Sequence, residues 1–201
     1  MPRCKSWNRS HDCAIVRRRF DAPLFTLTLE YEMSRLDSHI CQKIAQRDSI
    51  DLAARWLARE EGILVEFGLS TGRSYSHLLE RFLGREIFCF DRMDNTHPLS
   101  RPPTDHLILG EFTDVLEDPA LHARFAGRVI LAHIDIGCGG PVDDWMPELV
   151  MDRIHRWLKP GAVVLSDQDL TLDPAWKLDR VDTTAEVQHA ARYFVYRRRA
   201  G

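Results

Sequence analysis

Val65-Glu66-Phe67-Gly68-Leu69-Ser70-Thr71-Gly72-Arg73-Ser74 decides the reading of this chain. The apolar run Ile63 to Phe67 enters it as a buried strand. Ser74 to Phe82 leaves it as a helix, with Leu78, Leu79 and Phe82 spaced for one face. Gly68 has no Cβ and permits a tight turn off the strand, and Gly72 permits close approach of a ligand to the backbone. A pyrophosphate-binding turn needs glycines spaced GxGxxG at a helix N-terminus. Here three residues separate Gly68 from Gly72, and Glu66 stands two before the first glycine. A carboxylate repels a pyrophosphate and suits a cationic amino group. The turn therefore fits an amino-acid-bearing nucleoside better than a nicotinamide dinucleotide.

Outward from the turn, strands and helices alternate. Ile87 to Phe90, His106 to Leu109, Val129 to Ile134 and Ala162 to Leu165 read as further strands, with helices over Ala120 to Phe125 and Glu148 to Leu158. Their near-continuous apolar character predicts parallel βαβ units buried on both faces, an α/β fold. Upstream, Leu36, Ile40 and Ile44 recur at helical spacing. A second helical segment carries Leu52, Ala53, Trp56 and Leu57 and is closed by Gly62. Downstream, Trp176 to Val181 is ambiguous and Tyr193 to Tyr196 reads as a strand by its aromatic and β-branched content. Residues 1–30 read as a flexible basic extension, whose first twenty carry Arg3, Lys5, Arg9, Arg17, Arg18 and Arg19 against Asp12, and residues 31–201 as a single domain. The globular pattern begins close to Met33, an alternative start.

Of the 201 residues, 44% are hydrophobic and 28% charged, enough for one sizeable core. A net charge of -3 excludes nucleic-acid binding by bulk electrostatics. No apolar run spans a bilayer and no signal-peptide core is visible, so a cytoplasmic protein with no membrane partner is expected. The five cysteines form no CxxC pair, which points to neither a disulfide framework nor a zinc site.

The turn resembles the first motif, ExGxGxG, of class I S-adenosylmethionine-dependent methyltransferases, with Ser70 where the middle glycine usually stands. Further matches follow in order. Asp91 ends the second strand in Phe90-Asp91-Arg92, where the family's acid accepts the ribose hydroxyls. Gly110-Glu111-Phe112 resembles the Gly-Asp motif that receives the adenine amino group. His133-Ile134-Asp135 ends the fourth strand, where the family places groups facing the methyl. Leu158-Lys159-Pro160-Gly161-Ala162 resembles the turn that delivers the fifth strand. Gly72-Arg73-Ser74-Tyr75 and Ala132-His133-Ile134-Asp135 are also similar to a group of small bacterial methyltransferases of unassigned substrate. The resemblance implies a Rossmann-like, doubly wound, mostly parallel sheet with N-terminal helices, and S-adenosyl-L-methionine as cofactor. It implies cofactor contacts at Glu66, Gly68, Ser70, Gly72, Asp91, Arg92, Glu111, Phe112 and Asp135.

In a methyl transfer the donor is already activated. A base is needed only where the nucleophile must lose a proton, and His133 or Asp135 is the candidate for that catalytic role. Asp135, Asp167 and Gln168 lie where cation-dependent O-methyltransferases hold magnesium with Asp, Asp and Asn. The glutamine departs from that set, and no metal is expected. The segment after Asp135 lacks an aromatic for a flipped base, so the expected partner is a small-molecule acceptor rather than nucleic acid. Apolar residues on the first helices would support a homodimer. Two other readings stand beside this one. The first is a non-catalytic nucleoside-binding module, favoured by the absence of an evident substrate lid. The second is a hydrolase using Ser70 in Gly68-x-Ser70-x-Gly72, which leaves Glu66 and Asp91 unexplained.

Overall fold

A computed structural model describes residues 33–137 and 145–200. The readings of residues 1–30 as a basic extension and of the chain's start lie outside these residues, apart from Met33 itself. The chain runs α1 (Arg35–Trp56), β1 (Ile63–Phe67), α2 (Arg73–Arg81), β2 (Ile87–Asp91), β3 (Leu107–Leu109), α3 (Phe112–Val115), α4 (Pro119–Phe125), β4 (Val129–Ile134), α5 (Met146–Ile154), β5 (Leu158–Ser166), β6 (Leu178–Arg180) and β7 (Phe194–Arg198). The strands form one sheet in the order β3-β2-β1-β4-β5-β7-β6. β1 to β5 pair in parallel and β7 runs antiparallel to both β5 and β6. The order reverses between β1 and β4, so a crevice opens beyond their carboxyl ends. This is the expected Rossmann-like, mostly parallel sheet.

Two apolar layers hold the sheet. Phe67, Phe90, Phe125 and Trp157 pack on the face covered by α3, α4 and α5. The Phe67 and Phe90 rings stack at 4.7 Å, and the Trp157 indole donates to His122 Nδ1 at 2.9 Å. Leu64, Leu131, Val163 and Leu165 meet α1 and α2 on the other face. Each fully buried side chain of this kind stabilises by roughly 1.5–3 kcal/mol.

The structure departs from two expectations. The two N-terminal helical segments are one 22-residue helix, capped by the Ser34 hydroxyl accepting from Asp37 N–H; it ends at Trp56, six residues before Gly62. Of the apolar repeat along it, Leu36 is 69% exposed and Ile40 47%. Cys41, Ala45, Gln46, Ser49, Ile50, Leu52 and Ala53 face inward instead, mostly small residues that let the helix approach closely. Lys159-Pro160-Gly161 is not a turn before β5 but a bulge within it: Val129 pairs Leu158 while Leu131 pairs Val163. Gly161 takes φ +79° there, and an extra loop of strand is accommodated without breaking the sheet. Among the described residues no helix is long and apolar enough to cross a membrane.

Candidate active site

The β1 turn folds as its glycines require. Gly68, Ser70 and Gly72 have φ of +86°, +47° and +78°. A Cβ on Gly68 would overlap the backbone carbonyl oxygen of Asp135 and lie 2.8 Å from its carbon. A Cβ on Gly72 would stand 2.5 Å from the carbonyl oxygen of Ser100. The close approach that Gly72 permits is therefore made by the protein's own backbone. Ser70 holds the left-handed conformation that glycine adopts freely, at the position where the methyltransferase motif has glycine.

Asp91 sits at the end of β2, half-buried, and ties itself to the turn: Oδ2 accepts the Ser70 N–H at 2.8 Å and Oδ1 the Met93 N–H at 3.4 Å. Arg92 beside it is exposed. At the end of β3, Glu111 is exposed at the N-cap of α3, and its side chain makes no capping bond. Phe112 turns inward, 7% exposed, its ring edge-on to Phe67 at 5.8 Å. The side chain of Phe112 thus belongs to the core, and only its backbone lies at the crevice.

Beneath the turn runs a buried polar chain. Glu66 and His133 are neighbours across β1 and β4, and both are 0% exposed. Glu66 accepts from the Ser74 hydroxyl at 2.5 Å, which fastens the first turn of α2 to β1. Its Oε2 lies 3.8 Å from Cys89 Sγ, and burial followed by this carboxylate pushes the Cys89 thiol's pKa far up. His133 Nδ1 lies 3.4 Å from Glu66 Oε1, a close polar contact outside hydrogen-bond geometry. His133 Nε2 is 2.7 Å from the Tyr193 hydroxyl and 3.2 Å from Gln46 Nε2. Tyr193 is wholly buried and its pKa is raised well above the ordinary value, first by that burial. Its phenol keeps its proton and donates to Nε2, which leaves Nδ1 as the ring nitrogen that faces Glu66. His133 is thus engaged through Nε2 and sealed from solvent.

Gln46 links this chain to the crevice. Its Nε2 donates to Asp135 Oδ2 at 2.6 Å, and Lys43 Nζ donates to the same oxygen at 3.0 Å and to Gln46 Oε1 at 2.9 Å. His133 and Asp135 point the same way from β4, as alternation requires. Next to them, at the end of β5, Asp167 is 8% exposed. Its Oδ2 accepts the Gly137 N–H at 2.8 Å and the Gln168 amide at 3.4 Å, while Oδ1 has no hydrogen-bond partner among the described residues. Burial, and then the charge of Asp135, push the Asp167 carboxyl up to about 6.

The topology gathers these groups at one edge. The turn, Asp91, Glu111, Asp135 and Asp167 all follow carboxyl ends of parallel strands. Because β7 is antiparallel, its entry at Phe194 and the end of β6 at Arg180 reach the same edge. A shallow cavity of about 390 Å³ opens there, lined among others by Arg180, Asp182, Thr183, Tyr193 and Phe194. Arg180 is committed to Asp169 at 2.5 Å and lies over the Phe194 ring at 4.9 Å. Sequence reading missed Lys43, Gln46 and Tyr193. The one available signal was the pair Gln46 and Ser49, polar residues set among small ones on a single helical face.

The chain matches the family model described as S-adenosyl-L-methionine methyltransferase over residues 33–198. A crystal structure of an S-adenosyl-L-methionine methyl transferase from Silicibacter pomeroyi DSS-3 is 33% identical, superposes with a TM-score of 0.74, and covers 83% of this chain and all of its own. A Haemophilus influenzae protein, proposed to be a methylase, shares the fold at 13% identity and a TM-score of 0.52, covering 77% of this chain and 99% of its own. No curated protein matches the chain. With the β1 turn, the acid at the end of β2 and the 3-2-1-4-5-7-6 sheet already in place, the match across 33–198 makes the chain a member of the S-adenosyl-L-methionine-dependent methyltransferase family, an enzyme whose cofactor is S-adenosyl-L-methionine.

Proposed function

We propose that the crevice beyond β1, β2 and β4 holds the cofactor and that the methyl acceptor is a small molecule entering from the β7 side. The observation that carries this is the convergence at one sheet edge of the glycine turn, the Asp91 carboxylate, the Asp135–Asp167 pair and a cavity within the size range of small-ligand sites. In this reading Asp91 accepts the ribose hydroxyls with the lone pairs left over from Ser70. Glu111 and the Phe112 backbone face the adenine. Gly68, Ser70, Gly72 and Arg92 border the remainder. Glu66 acts from below, since it is sealed and holds α2 through Ser74. When bound, the cofactor supplies an activated methyl group, so the protein's own task is to orient the acceptor and take its proton where one is released. Asp135 is the group placed to take it. His133 serves as a positioning residue, because its Nε2 is occupied by Tyr193 and it reaches Asp135 only through Gln46. Family membership favours this enzymatic reading over a bare nucleoside-binding module. Residues 31–201 are read as its single catalytic domain, working in the cytoplasm.

Calorimetric titration of the protein with S-adenosyl-L-methionine and S-adenosylhomocysteine, beside Asp91→Ala, tests the cofactor assignment. Binding that the substitution weakens at least tenfold supports it. Equal affinity in both proteins removes Asp91 from the site.

A further inference from the structure

Two neighbouring acids, one of them against the cofactor turn, are short of one positive charge among the described residues. The Asp135 N–H donates to the Phe67 carbonyl at 3.0 Å, and the Asp135 carbonyl packs on Gly68, so this acid directly flanks the turn. Asp167 follows on the neighbouring strand, its N–H donating to the Ile134 carbonyl at 3.1 Å. Among the described residues the charged groups around the pair are few. Of the two acids, Lys43 of α1 is bonded to Asp135. Glu66 and His133 face each other one layer below, and Tyr193 donates to His133. Asp169 is already occupied by Arg180 and the Tyr196 hydroxyl. Asp167 Oδ1 is left buried with no donor among the described residues. An unpartnered buried carboxylate oxygen costs free energy in the absence of a ligand and is relieved by a cation. Its pKa near 6 agrees, since burial and a like charge favour the neutral acid until positive charge arrives.

The methyl donor is a sulfonium and its product is a neutral thioether. We propose that the Asp135–Asp167 pair senses this difference, binding the sulfonium form in preference to the thioether, so that loss of the methyl group itself loosens the spent cofactor. Lys43 and Gln46 set the sensitivity by fixing Asp135 and neutralising part of its charge. This rests on the cofactor lying in the crevice proposed above.

The test is the ratio of dissociation constants, S-adenosylhomocysteine over S-adenosyl-L-methionine, by calorimetry at pH 7 and pH 5. An Asp167 carboxyl that the sulfonium returns towards its ordinary pKa, by one unit or more, gives a wild-type ratio at pH 7 of at least about 10. The ratio falls several-fold at pH 5, where Asp167 is protonated in the unliganded protein. Asp167→Asn lowers it at pH 7 and removes its pH dependence. Lys43→Met raises it, a sign that general structural damage would not produce. If wild type and Asp167→Asn bind both nucleosides with the same ratio, the proposal is overturned while the cofactor site stands. If neither nucleoside binds the wild type, the cofactor reading fails and takes the proposal with it. If Mg²⁺ alone binds the wild type and not Asp167→Asn, the missing charge is a metal ion and the proposal is likewise overturned.

Discussion

Gly68→Ala isolates the contact on which the site geometry depends. Gly68 has φ +86°, and an added Cβ would overlap the Asp135 carbonyl oxygen. The obstacle is backbone, and it is pinned: the Asp135 N–H is bonded to the Phe67 carbonyl, and the Gly68 N–H to the Phe90 carbonyl at 3.0 Å. Left-handed backbone costs an L-residue about 1–2 kcal/mol. Overpacking against a fixed neighbour adds about 1–3 kcal/mol. The lower entropy of the unfolded alanine chain returns about 0.4–1 kcal/mol. The net loss is therefore about 3 kcal/mol, or a fall in Tm of about 9 °C for a chain of this size. Gly84 is the control, with φ +74° and no atom within 4 Å of an added Cβ. Gly84→Ala carries the conformational cost alone, about 1 kcal/mol or less. Urea denaturation of the three proteins measures both losses, and calorimetry follows S-adenosyl-L-methionine binding, which Gly68→Ala weakens and Gly84→Ala leaves intact. Equal destabilisation of the two variants would refute the claim that β4 is packed on the turn at this point.

Asp167 supplies a pH signature. Its folded pKa of about 6 lies above the ordinary carboxylate value of 3.8, so the native state holds the proton more tightly than the unfolded chain. The stabilisation this gives is complete below pH 4 and is lost as pH rises through 6, about 3 kcal/mol in all. Asp167→Asn is expected to gain stability relative to wild type between pH 4.5 and pH 7.5 in urea melts, and a parallel pH dependence of the two proteins would contradict this. Tyr193→Phe removes the shorter of the two contacts to His133 Nε2 and leaves the Gln46 amide as its partner, a loss of about 0.5–1.5 kcal/mol by the same method. On α1, Leu36→Ser should shift stability by less than about 0.5 kcal/mol because Leu36 is 69% exposed, whereas Ala45→Leu, at 0% exposure, should cost about 1–3 kcal/mol. The opposite ranking would make the apolar stripe the inward face.

What the sequence made legible was local. The β1 turn, the acid at the end of β2 and the helix N-terminus at Arg73 follow from residues within a few positions of one another, and glycine at φ > 0 leaves few alternatives. Strands β1, β2 and β4 are buried on both faces and read as continuous apolar runs, so their bounds fall where the runs end. β6 is three residues long and depends on pairing with β7, which local pattern does not report.

The buried polar chain was hidden for a different reason. α1 carries large apolar residues on one side and small ones on the other. Hydropathy weights the large stripe, Leu36, Ile40 and Ile44, but the helix lies close to its neighbours and close approach selects the small side. Were the large stripe inward, Gln46 would turn towards solvent, and Asp135, 89 residues further on, would lose its partner. His133 would then stand as a free base at the end of a strand. Placed on the small side of α1, Gln46 meets Asp135, His133 and Tyr193 together, and the histidine becomes one member of a closed chain. The assignment of a proton-taking role at β4 thus turns on which face of a helix that begins 98 residues before His133 meets the sheet. That face is fixed by packing between distant segments rather than by any motif.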